Sequence, residues 1–239
     1  MTQRVKLRAA VAVALTALFG AAAATSRMGP TPTARADGAT TDAKGQKSLS
    51  PEAAWQRLKA GNNRFADGKL ERPNLSVQRR RELAGGQKPF AVVLTCADSR
   101  LTPEFIFDQG LGDLFVLRVA GNIADPFEIG SIEYAVEHLH VPLVVVLGHE
   151  KCGAVQAALD PKKPPGNLGE LLGLIDVGKD LPPGKDALPA AVTNNVRHQT
   201  RLLTDRSRVI KEHMVKKEVR IVSGVYQLES GKIDWLEEK

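Results

Sequence analysis

Two short stretches hold the residues of this 239-residue chain best suited to chemistry. Thr95-Cys96-Ala97-Asp98-Ser99-Arg100 and Gly148-His149-Glu150-Lys151-Cys152-Gly153 contain both cysteines, a histidine, a carboxylate and a guanidinium. Two thiolates and an imidazole suit Zn²⁺, and three protein ligands leave a fourth tetrahedral position open, as catalytic zinc sites do. Structural zinc sites are closed by four ligands, usually in paired short spacings that this chain lacks. In an extended chain positions i and i+2 point to one side, so Arg100 can grip Asp98, keep it ionised and fix its orientation. Such a carboxylate can accept a hydrogen bond from a metal-bound water or take the fourth position itself. The same residues also fit plainer readings. These are a buried thiol pair beside a core histidine, a disulfide between Cys96 and Cys152, and a surface ion pair in a turn.

Each stretch follows an apolar run of strand character. Phe90-Ala91-Val92-Val93-Leu94 leads to Cys96, and Leu143-Val144-Val145-Val146-Leu147 leads to Gly148-His149. Leu114-Phe115-Val116-Leu117 and residues 219–222 are two more. Runs without alternation suit strands buried on both faces of a parallel sheet. Helical spacing appears at Trp55, Leu58 and Phe65, behind the start signal Ser50-Pro51-Glu52. It recurs at Ile129, Ile132, Val136 and Leu139, and a long helical stretch covers residues 190–217. Residues 153–159 predict a short helix whose positive end favours a thiolate at Cys152. Residues 160–187 are rich in Pro, Gly and Lys and predict a loop with one short helix around 168–175. Val225-Tyr226-Gln227-Leu228 and Lys232-Ile233-Asp234-Trp235 predict a hairpin around Gly231. The expected fold is α/β: a mostly parallel four-stranded sheet with a C-terminal hairpin or edge strand, flanked by helices. Ligands of such sheets bind beyond the carboxyl ends of the strands, where Cys96 and His149 both fall.

The amino terminus differs from the rest. Arg4, Lys6 and Arg8 precede an apolar run over residues 9–24, with small residues at Ala22-Ala23-Ala24 and again at Ala34-Arg35-Ala36. The run is shorter than the roughly 20 residues of a membrane span, so a cleaved signal peptide over residues 1–24, with cleavage as late as 36, is expected rather than an anchor. Residues 25–48 predict a flexible linker, and residues 49–239 the catalytic domain. Cleavage after Ala24 lowers the formal charge from +6 to +3, and cleavage after Ala36 lowers it to +1. The basic balance therefore gives little support to nucleic-acid binding. Export to a bacterial periplasm is expected, with no membrane association after cleavage.

Cys96-Ala97-Asp98-Ser99-Arg100 and His149-Glu150-Lys151-Cys152-Gly153 resemble the paired C-x-D-x-R and H-x-x-C-G motifs of the β-class carbonic anhydrases. The resemblance runs from about residue 55 to residue 235. It takes in Gly61-Asn62-Asn63-Arg64-Phe65, Glu133-Tyr134-Ala135-Val136, Asn195-Val196 and the closing hairpin. It implies one zinc per chain on Cys96, His149 and Cys152, with Asp98 and Arg100 as an activating dyad. It also implies reversible hydration of CO2 to bicarbonate and a proton through a zinc-bound hydroxide. Gln87 matches a glutamine that hydrogen-bonds the substrate, and Phe115 and Tyr134 match an apolar wall. Ala120 stands where the family often has valine, and Gly153 belongs to the same substrate pocket. Family members are built on a dimer with the pocket near the subunit interface, which implies a homodimer or dimer of dimers in which Gln87 serves the neighbouring subunit. An apolar pocket with one amide donor suits a small linear gas.

Two departures stand out. Members with a regulatory bicarbonate site carry a tryptophan three residues before the first cysteine; here that residue is Val93, although Arg118 matches the arginine of that site. The always-open form, with water rather than Asp98 on the metal, is expected. Arg118-Val119-Ala120-Gly121-Asn122 replaces the commoner R-N-V/I-A-N, which reshapes that side of the pocket. A CS2 or carbonyl sulfide hydrolase on the same scaffold is a competing reading, and a non-catalytic redox or bicarbonate-binding protein is another. Other candidates are set aside. His138 and His140 suit a helix end, and His198 and His213 a polar helix surface. Gly110-Leu111-Gly112 is not a dinucleotide loop, and Asn74-Leu75-Ser76 is a glycosylation pattern common by chance.

Overall fold

The computed structural model of the chain describes residues 39–41 and 47–236, so the expected signal peptide and much of the expected linker lie outside the described residues. In chain order the elements are β1 (Ala39–Thr41), β2 (Lys47–Leu49), α1 (Pro51–Ala66), α2 (Val77–Leu83), β3 (Ala91–Thr95), α3 (Pro103–Ile106), β4 (Leu114–Arg118) and α4 (Pro126–Glu137). They continue with β5 (Leu143–His149), α5 (Gly153–Ala158), α6 (Asn167–Gly173), α7 (Ala187–Arg206), α8 (Arg208–Val215), β6 (Arg220–Tyr226) and β7 (Ile233–Leu236). β1 and β2 pair antiparallel, with Ala39 opposite Leu49. Among the described residues, regular structure first appears inside the stretch read as linker, because a three-residue ladder rests on main-chain bonds that leave no apolar period in the sequence. Ser50 then caps α1, its Oγ accepting from the Ala53 N–H at 3.2 Å, and Ala54 and Leu58 bury the inner face.

The main sheet has the order β4-β3-β5-β6-β7. β4, β3, β5 and β6 run parallel, and β7 closes the edge antiparallel to β6. Every residue of β3 and β5 is buried, as continuous apolar runs require in a sheet covered on both faces. β4 departs from that expectation. It lies at the edge, and Leu114–Leu117 are only half-buried. The run at 219–222 and the first arm of the expected hairpin form one strand, β6. The single helix expected over 190–217 is two, broken at Ser207. That serine leaves helical geometry to cap α8, its Oγ accepting from the Ile210 N–H at 3.0 Å and donating to Glu133 at 2.6 Å.

The strand order places the site. From β3 the chain crosses to β4 on one side and then to β5 on the other, so a crevice opens where β3 and β5 end side by side. Thr95 is in register with Leu147, and its hydroxyl donates to the Leu147 carbonyl at 2.8 Å. Cys96 therefore emerges beside Gly148-His149. α7 crosses close over this edge: a Cβ on Gly148 would lie 2.3 Å from Val196 Cγ2.

Candidate metal centre and active site

Cys96, His149 and Cys152 converge at the carboxyl edge of β3 and β5. Their ligand atoms all lie within 4.8 Å of one another, and among the described residues no other three His, Cys, Asp or Glu side chains do so. The two sulfurs are 4.0 Å apart. A disulfide needs about 2.05 Å, whereas two thiolates on one tetrahedral zinc, at about 2.3 Å each, sit about 3.8 Å apart. The spacing excludes a disulfide and fits two thiolates on one metal. His149 is oriented for the same purpose. Its Nδ1 lies 2.9 Å from the Glu150 carbonyl, which can only accept, so Nδ1 carries the proton. Nε2 is then left with its lone pair, buried and without a hydrogen-bond partner. A buried nitrogen with no partner is costly in an apolar setting, and a cation between the sulfurs satisfies it.

The thiols form one electrostatic unit. Cys96 is pulled down to about 4 by the hydrogen bond from Cys152, against the opposing effect of burial, with help from the Gly121 N–H at 3.3 Å. Cys152 is pushed up by that same pairing and by burial. The helix end at α5 favours a thiolate at Cys152, through the Ala154 and Val155 N–H groups. Before a metal binds, the two thiols hold one proton between them. Binding a divalent cation releases the remaining proton.

Asp98 stands beside this cluster, with Oδ2 3.9 Å from His149 Nε2. Arg100 grips it twice, Nε to Oδ1 at 2.9 Å and Nη2 to Oδ2 at 2.7 Å. The guanidinium holds the Asp98 carboxyl well below the usual carboxylate range. The loop bearing both is clamped by Arg118, whose Nη2 donates to the Asp98 carbonyl at 2.7 Å and Nε to the Cys96 carbonyl at 3.3 Å. Sequence reasoning treated Arg118 only as a possible anion ligand. A bond to main-chain carbonyls leaves no signature in residue types.

A protein-family model described as carbonic anhydrase matches residues 91–233, more than half of the chain. Carbonic anhydrase 2 of Mycobacterium tuberculosis is 45% identical over 195 residues, covering 77% of this chain and 92% of that protein. The chain belongs to the β-class carbonic anhydrases. A carbonic anhydrase of Mycolicibacterium smegmatis is 39% identical over 193 residues, covering 77% of this chain and 93% of its own length. Among solved structures, a β-carbonic anhydrase of Aspergillus fumigatus superposes with a TM-score of 0.59 at 29% identity, over 78% of this chain and 90% of that one. One of two tetrameric β-carbonic anhydrases of Sordaria macrospora gives 0.57 at 27% identity, over 76% of this chain and 96% of that one.

The expected substrate residues of this carbonic anhydrase fall into two groups. Ala120 and Gly153 lie beside the metal cluster: Ala120 opens the turn whose Gly121 reaches Cys96, and Gly153 follows Cys152 at the start of α5. Phe115 and Tyr134 lie elsewhere. Phe115 is in register with Val92, four residues before Cys96, or about 13 Å back along the strand. Its ring meets that of Tyr134 at 6.4 Å. Gln87 is exposed before β3. Within one chain these three are not brought to the metal cluster.

The histidines set aside are placed as follows. His138 ends α4 with its ring 5.4 Å from that of Tyr134, and His140 follows it in a left-handed turn. His198 pairs with Asp176 at 3.2 Å. His213 is no free surface residue: its two ring nitrogens lie 2.8 Å from Glu137 and 2.8 Å from Glu218, tying α8 to α4. The Asn74 amide of the glycosylation pattern is spent on both oxygens of Asp113, at 2.9 and 2.8 Å.

Proposed function

We propose that the chain catalyses reversible hydration of CO2 to bicarbonate and a proton at one zinc ion held by Cys96, His149 and Cys152. The observation that carries this reading is the three-donor cluster, with Nε2 of His149 buried and unpartnered between two close sulfurs. Zinc held by these three side chains would supply a Lewis acid able to lower the pKa of a coordinated water to about 7, the chemistry that hydration at neutral pH requires. The chain's own residues do the rest. Asp98, kept ionised by Arg100, accepts a hydrogen bond beside the fourth coordination position and orients the nucleophile. Because both its oxygens are committed to Arg100, it stays off the metal, which supports the always-open form. His149, locked by Glu150, keeps its lone pair on the metal.

The substrate pocket is completed by a second copy of the chain. Phe115, with Tyr134 against it, lies too far back along the sheet from its own Cys96 to line its pocket, and the half-buried β4 edge leaves the pair open to a neighbour, while Gln87 is exposed before β3. The exposed apolar side chains Leu75, Val77, Phe105 and Leu111 support the same homodimer. Export, on the basic and apolar pattern of the first residues, places this chemistry outside the cytoplasm.

Stopped-flow CO2 hydration by the purified mature protein, with zinc content determined, tests the reading against Cys152→Ser and Asp98→Ala. The expected result is about one zinc per chain and fast hydration lost in both variants. Full zinc occupancy with turnover of CS2 or carbonyl sulfide but not CO2 would overturn the substrate. Absence of zinc and of free thiols would overturn the metal site.

A further inference from the structure

The Gly121 N–H that donates to the Cys96 sulfur is held in an unusual backbone. Gly121 has φ +75° and Asn122 φ +47°, two successive left-handed residues that persist only where their surroundings over-determine them. A Cβ at position 121 would lie 2.6 Å from Ile175 Cδ1, and the φ of +75° is one that residues with a side chain rarely adopt. The constraint comes from α7. Asn195 Nδ2 donates to the Gly121 carbonyl at 2.8 Å. Asn195 Oδ1 accepts from Gln199 Nε2 at 2.9 Å and from the Asp176 N–H at 3.2 Å. Gln199 Oε1 accepts from the Ala124 N–H at 2.8 Å, and its Nε2 also donates to the Leu174 carbonyl at 2.9 Å. The turn is thereby pinned at both ends by two side chains that are 0% exposed.

We infer that Asn195 and Gln199 are positioning residues that tune the electron density of the Cys96 sulfur by aiming the Gly121 N–H at it. A hydrogen bond to a ligating sulfur draws density from it and sets how strongly it donates to the metal. Asn195 fixes the carbonyl of Gly121, and the N–H of the same residue donates to the sulfur. Freeing the carbonyl lets the two left-handed residues relax and the N–H turn away. The inference rests on the proposed metal site at Cys96, His149 and Cys152.

Cobalt substitution reads the sulfur directly, through the thiolate-to-metal charge-transfer absorption. Asn195→Leu is the main variant and Gln199→Met the second, each removing the amide at near-constant volume. Asn62→Leu is the control. Asn62 is an equally buried amide of α1 that donates to the Ile106 and Gly231 carbonyls, with no bond to the metal cluster. We expect the charge-transfer band to move to lower energy in Asn195→Leu and, to a smaller extent, in Gln199→Met. Asn62→Leu is expected to lower thermal stability without moving the band. If Asn195→Leu does not fold, Gln199→Met carries the test alone. An unmoved band in the folded variants, or an equal movement in Asn62→Leu, would overturn the inference. A wild-type protein that takes up cobalt without any thiolate charge-transfer band would overturn the metal reading itself, an outcome distinct from the first.

Discussion

Arg100 holds Asp98 through both carboxylate oxygens, while Oδ2 of the same carboxylate stays 3.9 Å from Nε2 of His149. The guanidinium thus fixes the orientation of the carboxylate beside the three-donor cluster. Arg100→Leu releases it. We expect CO2 hydration to fall about 100-fold or more, the usual range for a lost acid–base group, with zinc content unchanged. Arg100→Lys should recover only part of the rate, because an ammonium cannot reproduce the two-pronged grip. Stopped-flow rates with metal analysis check both, and a wild-type rate in Arg100→Leu would remove the dyad from the mechanism.

Chelation should act on folding as well as activity. Zinc bound only by the folded chain adds stability that grows with the logarithm of its free concentration. Dialysis against a chelator is expected to abolish hydration, lower the melting temperature and expose both free cysteines, Cys96 and Cys152, to thiol reagents. Added zinc should reverse all three changes. Chelated protein that remains active, or that has no titratable thiol, contradicts the site.

Glu128, paired with Asp125, supplies a pH dependence away from the metal site. It lies in the first turn of α4, and burial together with its hydrogen bond to the N-cap residue Asp125 pushes its carboxyl up to about 7. Its Oε2 is buried without a partner. Unfolded, such a group titrates near about 4.3. Between the two values the folded chain binds a proton that the unfolded chain has lost, so stability falls as pH rises through this window. Glu128→Gln cannot ionise and should escape that loss. Its melting temperature relative to wild type is expected to rise between about pH 4 and about pH 7, by a few degrees at about 2–4 °C per kcal/mol for a chain of this size. A difference that is flat with pH would show that Glu128 ionises normally.

Phe105 tests the second copy. Its ring is 56% exposed and, with Leu75, Leu111 and Leu114, lines a cavity of about 370 Å³ beside the β4 edge. Phe105→Glu places a charge on this apolar face. Light scattering should show a shift from dimer to monomer, with hydration lost in proportion while each chain keeps its zinc. A monomer with undiminished turnover would show that Gln87, Phe115 and Tyr134 of a neighbour are not needed.

Much of the fold is legible in the chain because burial on both faces leaves a mark. β3 and β5 read as unbroken apolar runs for that reason, and the residues just past their ends, Cys96 and His149, fall at the ligand-binding edge of any open parallel sheet. Ser50, with Pro51 behind it, marks the start of α1 through local capping chemistry. The break at Ser207 escapes such reading, because an N-cap serine inside a long helical pattern looks like any polar surface residue until Glu133 and Ile210 claim its hydroxyl. His213 escapes it too, since Glu137 is 76 residues away.

The sequence by itself determined the three candidate donors Cys96, His149 and Cys152, the pairing of Asp98 with Arg100 and the α/β class, because each depends on residue type, short spacing or local periodicity. Only the tertiary structure decided that the two sulfurs stand 4.0 Å apart, that Glu150 fixes the His149 tautomer, and that Arg118, Gly121 and Asn195 hold the Cys96 loop. It also decided that Phe115 and Tyr134 lie away from their own chain's metal cluster. These facts depend on strand register and on contacts between residues far apart in the chain, most of them made by main-chain groups that every residue carries, and so no pattern of side chains announces them.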